Sequence, residues 1–128
     1  ISGSPYELVK EMSQKYNMDD FKGTIYKSDE NNNYTGDVIP MWDSESKQKA
    51  LLEMKEKYDI DLSASYAYGD TAGDYTMFKL VGIPYAINPT KELLNKITND
   101  KEINDKINII VERKDVTYKL TTANLELL

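Results

Sequence analysis

The sequence contains no cysteine and no histidine among its 128 residues. The absence of cysteine excludes disulfide bonds, thiolate zinc sites and cysteine nucleophiles. The absence of histidine excludes catalysis of the Ser-His-Asp type and histidine metal ligands. Carboxylates, lysines, hydroxyls and backbone amides remain for chemistry, and this set of groups favours an oxygen-liganded cation such as Mg²⁺.

Long apolar runs are also lacking, and the 16 basic residues are outnumbered by 22 acidic ones. No apolar segment approaches the roughly 20 residues of a membrane-spanning helix, and we expect a cytoplasmic protein with no secretory leader and no membrane partner. The net charge of −6 repels phosphate backbones, so we expect no nucleic-acid partner. The same charge would repel a phosphorylated small molecule unless a local cation receives it.

The chain is long enough for one domain with a core, and its predicted strands alternate with helices. This alternation is typical of βαβ units and a mostly parallel sheet. Apolar spacing and turn residues predict a helix over 4–16, strands over 21–28 and 34–39 joined as a hairpin, a helix over 44–58, a strand over 63–68, a helix over 74–81, a strand over 83–87, a helix over 90–97, a loop over 99–104 and a strand over 107–111. The segment 116–128 fits a strand and a helix equally well.

Two carboxylates lie four residues apart where the strand 63–68 gives way to a helix. Asp70 follows Gly69, and Asp74 follows Gly73. Ligands of open α/β sheets bind at the carboxyl ends of strands, and glycines let the backbone approach an ion or a phosphate closely. The pair is therefore a candidate ligand site. In the alternative interpretation, Asp70 only forms a turn and Asp74 only places a charge at a helix N-terminus.

Lys47 lies in the apolar stripe of the helix 44–58. At 100° per residue, Leu51, Met54 and Tyr58 fall within about 40° of it around the helix axis. A lysine directed to the core near a helix N-terminus needs an anionic partner, because both burial and the helix dipole disfavour its charge. The alternative is a lysine whose ammonium group reaches solvent along the helix end.

A third polar segment, Ser2-Gly3-Ser4, lies between a predicted strand end and a helix start. A hydroxyl and free backbone N–H groups at such a place can bind a phosphate. Ser4 is also a candidate N-cap for the first helix, with Pro5 at the first helical position. An N-cap role for Ser4 would leave the role of Ser2 unexplained.

Taken in chain order, the hydroxyl, the lysine and the aspartate pair resemble motifs II, III and IV of the haloacid dehalogenase superfamily. The chain is most similar to the phosphoserine-phosphatase-like branch of that superfamily. The matching segments, which lie between residue 1 and about residue 120, are Ile1-Ser2-Gly3, Ser46-Lys47-Gln48-Lys49-Ala50-Leu51 and Gly69-Asp70-Thr71-Ala72-Gly73-Asp74, with further likeness at 34–38, 75–78 and 82–84.

The resemblance implies a Mg²⁺-dependent phosphatase that acts on a phosphorylated small molecule through a phosphoaspartate. Asp70 would then ligate Mg²⁺, and Asp74 would hold Mg²⁺-bound water or pair with Lys47. Ser2, Gly3 and Lys47 would bind the phosphate, with Ser2, Lys47 and Asp74 counted as catalytic. The implied fold is α/β: a three-layer αβα Rossmann-like core with a mostly parallel sheet of strand order 5-4-1-2-3, plus a β-hairpin.

Two departures from the family pattern affect function. The Asp-x-Asp motif, whose first aspartate is the family's nucleophile, is absent; Asp59-Ile60-Asp61 has the spacing but precedes its strand. Gly73 stands where the phosphoserine enzymes usually have asparagine, which argues against phosphoserine as the substrate.

We therefore expect residues 1–128 to be the C-terminal part of a single core domain of this superfamily, an incomplete core that lacks its N-terminal strands and its cap. By itself the chain would be inactive, and its partner would be the N-terminal half of the same protein. The alternatives are a non-catalytic relative that binds a phosphorylated ligand or a protein, and a small acidic interaction module with no site.

Overall fold

The computed structural model describes residues 1–125, which form mixed helices and strands. The helices are α1 (Tyr6–Lys15), α2 (Ser44–Tyr58), α3 (Tyr75–Leu80), α4 (Lys91–Thr98) and α5 (Lys101–Asn104). The strands are β1 (Ile25–Ser28), β2 (Tyr34–Ile39), β3 (Tyr66–Gly69), β4 (Ile83–Ile87), β5 (Asn108–Glu112) and β6 (Thr117–Leu120). None of these helices has the length and apolar character that a bilayer crossing requires.

The main sheet has the strand order β3-β4-β5-β6, and its first three strands are parallel. β6 runs antiparallel to β5, with Leu120 opposite Ile109. Helices flank this sheet and bury its apolar side chains, as expected for strands connected by crossover helices. The core cluster consists of Phe78, Ala86, Leu93, Leu94, Ile97, Ile103, Ile107 and Ile109. The prediction of an α/β fold with a mostly parallel sheet is confirmed.

A second group of extended segments lies beside this sheet. β1 and β2 form the predicted antiparallel hairpin, with Ile25 opposite Ile39. The segment before α1 runs parallel to the segment that enters β1, since the Ser2 amide donates to the Lys22 carbonyl at 2.9 Å and the Thr24 amide donates to the Ser4 carbonyl at 2.9 Å. Among the described residues, neither segment shares a sheet with β3. The outer edge of β3 therefore has no strand partner in this part of the chain.

The first helix differs from its prediction in two respects. Pro5 occupies its N-cap position without a side-chain cap, and Ser4 belongs to the extended segment before it, so Ser4 is not the N-cap. The predicted apolar face is formed as a stripe, but Leu8, Met12 and Tyr16 are exposed. Apolar spacing predicted correctly which residues share one face of α1. It did not predict that this face is exposed among the described residues.

Other boundaries also differ. The strand predicted over 63–68 is β3 over Tyr66–Gly69, and a 3₁₀ turn over Leu62–Ala64 precedes it. The strand predicted over 21–28 begins at Ile25, and the loop predicted over 99–104 contains α5. The ambiguous segment 116–128 forms β6 and a 3₁₀ turn over Thr122–Asn124, while residues 126–128 lie outside the described residues. Asp100 begins α5, since its carboxylate accepts from the amides of Glu102 and Ile103.

Acid stability should depend in part on Asp100. Its carboxylate accepts hydrogen bonds from the Tyr75 hydroxyl at 2.6 Å and from Lys79 at 3.0 Å, and these bonds lower the pKa of Asp100 from 3.8 to about 2. Because the folded pKa lies below the ordinary value, the stabilisation is present above about pH 4 and is lost as the pH falls towards 2. We expect Asp100→Asn to lower the urea midpoint at pH 6, with a difference from the wild type that shrinks between pH 4 and pH 2.

The matched control for this prediction is Asp115→Asn, which removes an exposed carboxylate that forms no ion pair within residues 1–125. Asparagine is itself a good N-cap, so Asp100→Asn keeps the start of α5 while losing the charge. A difference that stays constant from pH 6 to pH 2 would contradict the assignment of the effect to the ionised carboxylate.

Candidate functional site

A cavity of about 440 Å³ lies between the N-terminal segment, the start of α2 and the loop after β3. Its lining consists of Ile1, Ser2, Gly3, Ser4, Trp42, Lys47, Tyr68, Gly69, Asp70, Thr71 and Asp74. All five residues proposed from the sequence as site residues are in this set, although they lie far apart in the chain. A larger groove, of about 860 Å³, lies between the hairpin and α2 and shares no residue with this cavity. We take the smaller cavity as the candidate site because the carboxylates and the buried lysine converge there.

The most buried feature of the cavity is an ion pair between Lys47 and Asp74. The Lys47 ammonium lies 2.6 Å from Asp74 Oδ1, and the two residues are 7% and 4% exposed. The predictions that Lys47 is buried and that it has an anionic partner are confirmed. Such a pair resists separation, because removing either partner leaves a charge buried without compensation.

The second oxygen of Asp74 holds the loop after β3. Asp74 Oδ2 accepts from the Asp70 amide at 3.1 Å, the Thr71 amide at 3.2 Å and the Thr71 hydroxyl at 3.3 Å. Both oxygens of Asp74 are therefore engaged by protein groups. Of the two roles that the resemblance implied for Asp74, the structure contains the pairing with Lys47.

Two glycines permit this close packing. A Cβ atom on Gly69 would lie 2.4 Å from Asp74 Cγ, and one on Gly73 would lie 2.3 Å from the Trp42 carbonyl oxygen. Real Cβ atoms do not approach other atoms so closely. The departure from the family pattern at Gly73 thus has a local cause, because the backbone at Trp42 occupies the space of a side chain.

Asp70 is the carboxylate of the site that remains available. Its side chain is exposed at the cavity and forms no hydrogen bond or ion pair within residues 1–125, while its backbone carbonyl accepts from the Thr90 amide at 2.8 Å. The bond to Thr90 joins the loops that follow β3 and β4. Asp70 is thus held by its backbone, and its exposed carboxylate lines the cavity.

Ser2 lies on the opposite segment of the cavity. Its hydroxyl oxygen accepts from the Ser4 amide at 3.2 Å, which leaves the hydroxyl proton free to be donated. The fully buried Thr24 fixes this segment: its hydroxyl donates to the Gly3 carbonyl at 2.8 Å and accepts from the Met41 amide at 3.2 Å. Sequence reasoning missed this role of Thr24, and the sequence carries no signal for it because the contacts join distant segments.

Two side-chain hydrogen bonds hold the start of α2 against the loop after β3 and the first turn of α3. The Ser44 hydroxyl donates to the Ala72 carbonyl at 2.9 Å, and the Thr76 hydroxyl donates to the Ser44 carbonyl at 2.7 Å. Asp43 caps the helix, since its carboxylate accepts from the Ser46 amide at 2.8 Å. These bonds set the position of the first turn of α2, from which Lys47 reaches Asp74.

The charges of the cavity determine which ligands it can take. Among the described residues that line it, the charged side chains are Lys47, Asp70 and Asp74, which sum to one negative charge. A phosphate group would be repelled by this charge unless a cation neutralised Asp70. Within residues 1–125, no group of three or more acidic side chains is arranged so that it could hold a metal ion by itself. The donor set therefore fits one or two positions of a Mg²⁺ ion whose other ligands are water and phosphate oxygens.

Comparisons with known proteins identify the family of the chain. A model of the family described as haloacid dehalogenase-like hydrolase matches residues 1–79, which include every candidate site residue. An "Inhibition of morphological differentiation protein" of Streptomyces azureus is 31% identical over 93 residues, which are 73% of this chain and 34% of that protein.

Two solved structures of phosphoserine phosphatase share the fold. An apo form is 26% identical with a TM-score of 0.64 and is matched over 74% of this chain and 48% of that one. A substrate-bound complex is 25% identical with a TM-score of 0.67 and is matched over 90% of this chain and 50% of that one. The chain thus spans from about a third to half of the length of these relatives. By its sequence and its fold, the chain belongs to the haloacid dehalogenase-like hydrolase family.

Proposed function

We propose that the chain is the C-terminal part of a Mg²⁺-dependent phosphatase that hydrolyses phosphate monoesters of small molecules through a phosphoaspartate. The observation that carries the proposal is the meeting of Ser2, Lys47 and Asp70 around one cavity. A hydroxyl donor, a cation and an available carboxylate are the groups that phosphoryl transfer needs for positioning and charge stabilisation.

Each residue has a distinct part in this proposal. The Ser2 hydroxyl donates to a phosphate oxygen. The neighbouring Gly3 amide, which has no acceptor within residues 1–125, donates to the same phosphate. Lys47 offsets the negative charge of the phosphate and of the nucleophile. Asp74 holds Lys47 in position and fixes the loop that carries Asp70.

Asp70 would be the ligand for Mg²⁺ in this chain, and Asp74 would contact a metal-bound water at most, because both of its oxygens are engaged. When bound, the ion reduces the charge repulsion between phosphate and nucleophile and polarises the phosphoryl oxygens. Hard oxygen ligands of this kind suit Mg²⁺.

The nucleophilic aspartate would come from the N-terminal half of the same protein, in the Asp-x-Asp motif of the family. Two surface features support a docking site for that half. The edge of β3 has no strand partner within residues 1–125, and α1 exposes Leu8, Met12 and Tyr16 in one stripe. Unpaired strand edges and contiguous apolar surfaces are characteristic of buried interfaces.

An assay with p-nitrophenyl phosphate tests the proposal. We expect the full-length protein to release p-nitrophenol with Mg²⁺, to lose activity with EDTA and to recover it when Mg²⁺ is added back in excess. Residues 1–128 alone should show no turnover, because the nucleophile is absent. Turnover by residues 1–128 alone, or activity indifferent to EDTA, would contradict the mechanism. Full-length protein that binds inorganic phosphate without turnover would favour the non-catalytic alternative.

A further inference from the structure

Trp42 is the single tryptophan of the chain, and it lines the candidate cavity directly before Asp43 caps α2. Its backbone is confined on two sides. A Cβ on Gly3 would lie 3.1 Å from Trp42 Cβ, and one on Gly73 would lie 2.3 Å from the Trp42 carbonyl oxygen. The segment that carries Ser2 and the loop that carries Asp70 therefore both pack against Trp42. These backbone contacts hold Trp42 beside Ser2 and Asp70, the residues proposed to bind phosphate and Mg²⁺.

The indole of Trp42 is partly open to the cavity within the described residues. It is 49% exposed, it is outside the hydrophobic core cluster, and it forms no aromatic or cation–π pair within residues 1–125. Aromatic side chains contribute most when their faces are covered, so an open indole at a cavity offers a flat surface to a ligand.

The remaining lining indicates what kind of ligand would cover that surface. Tyr68 is a second exposed aromatic in the cavity, and its ring stacks on Tyr85 with centroids 5.2 Å apart. Lys47 is the one cationic side chain among the described lining residues; it pairs with Asp74, and the proposed function assigns it to the phosphate. The described cavity thus has aromatic surface for a planar group and no spare cation for the carboxylate of an amino acid.

We propose that Trp42 contacts the organic part of the substrate and that the cavity prefers phosphate monoesters with a flat aromatic leaving group over small aliphatic ones. The inference rests on the proposed phosphatase function and specifies its substrate class. Trp42 contributes binding energy that is equal in the ground state and the transition state, so its effect falls on KM and leaves kcat unchanged.

Kinetics of the full-length protein test this assignment. Stacking of an aromatic ring on an indole corresponds to about ten-fold in affinity, so we expect Trp42→Ala to raise KM for p-nitrophenyl phosphate about ten-fold. KM for glycerol phosphate should change less than about two-fold, and Trp42→Phe should restore most of the loss. The control is Tyr34→Ala, since Tyr34 is 81% exposed on the hairpin and lies outside the cavity. It should leave both KM values unchanged.

Fluorescence gives a second measurement that does not depend on turnover. In full-length protein with any other tryptophan replaced by phenylalanine, acrylamide should quench Trp42, and phenyl phosphate should protect it where inorganic phosphate does not. A Trp42 that is already shielded from acrylamide without ligand is covered by another part of the protein, and this result would overturn the inference.

The two proposals fail in different ways. If the wild-type full-length protein shows no Mg²⁺-dependent turnover of p-nitrophenyl phosphate, the phosphatase function itself is wrong. If Asp70→Asn is inactive but Trp42→Ala raises KM by the same factor for the aryl and the aliphatic ester, only the assignment of Trp42 is wrong.

Discussion

Asp70→Asn is expected to lower kcat/KM of the full-length protein for p-nitrophenyl phosphate by about 10²–10³-fold, which is the typical cost of losing one preorganised charge at a transferring group. Asp70 is the carboxylate of the cavity that no protein group engages within residues 1–125. Asparagine keeps its shape and removes its charge. The Mg²⁺ concentration for half-maximal activity should also rise, because the ion loses an anionic ligand.

The stability of this variant separates a role in the site from a role in the fold. The Asp70 carbonyl still accepts from Thr90, and its exposed carboxylate has no partner to lose within residues 1–125, so the free energy of unfolding should change by less than about 0.5 kcal/mol. Glu30→Gln removes one exposed charge from the hairpin turn and is the control for net charge. Unchanged kinetics in Asp70→Asn with normal folding would remove Asp70 from the mechanism.

Local sequence signals were sufficient for the elements whose limits are set by their own residues. β2, β4 and α2 were predicted with their observed bounds, and the polar turn before β2 is closed by Asp29, whose carboxylate accepts from the amides of Asn31 and Asn33. Caps and turns of this kind depend on neighbours a few residues away, which a sequence displays directly.

Elements that depend on distant partners were not predictable in the same way. α5 is short and mostly polar, and Ile103, its one fully buried side chain, joins a core built from other elements. β6 exists because it pairs with β5, with Leu120 opposite Ile109. Sequence periodicity reports which side chains share a face, but it does not report which segment covers that face.

The candidate site shows the same division. The burial of Lys47 followed from its place in the apolar stripe of α2, and its need for an anion followed from the cost of burying a charge. That the anion is Asp74, and that Asp70 is left available, depends on the fold of the loop after β3. The contributions of Thr24 and Trp42 arise from contacts between segments remote in sequence, so no local pattern marks them.

Lys47→Met should have the largest effect on stability among the site variants. Methionine fills the space of the lysine stem but leaves Asp74 as a buried carboxylate without a cation. Loss of one partner from a buried ion pair costs about 3–5 kcal/mol, and we expect the lower end here because Asp74 still accepts from Asp70 and Thr71. Phosphatase activity of the full-length protein should be lost as well, because Lys47 is the one cationic side chain of the described cavity lining.

The double variant Lys47→Met with Asp74→Asn separates these two consequences. Asparagine removes the uncompensated charge and keeps an oxygen that can accept from the Asp70 and Thr71 amides, so most of the lost unfolding free energy should return. Activity should not return, because the cation is still absent. Chemical denaturation of both variants, together with the p-nitrophenyl phosphate assay, measures each effect independently. Recovery of activity along with stability would mean that Lys47 supports the fold and has no part in binding phosphate. If stability does not recover, methionine fails to fit the space of Lys47, and the loss cannot be assigned to the charge of Asp74.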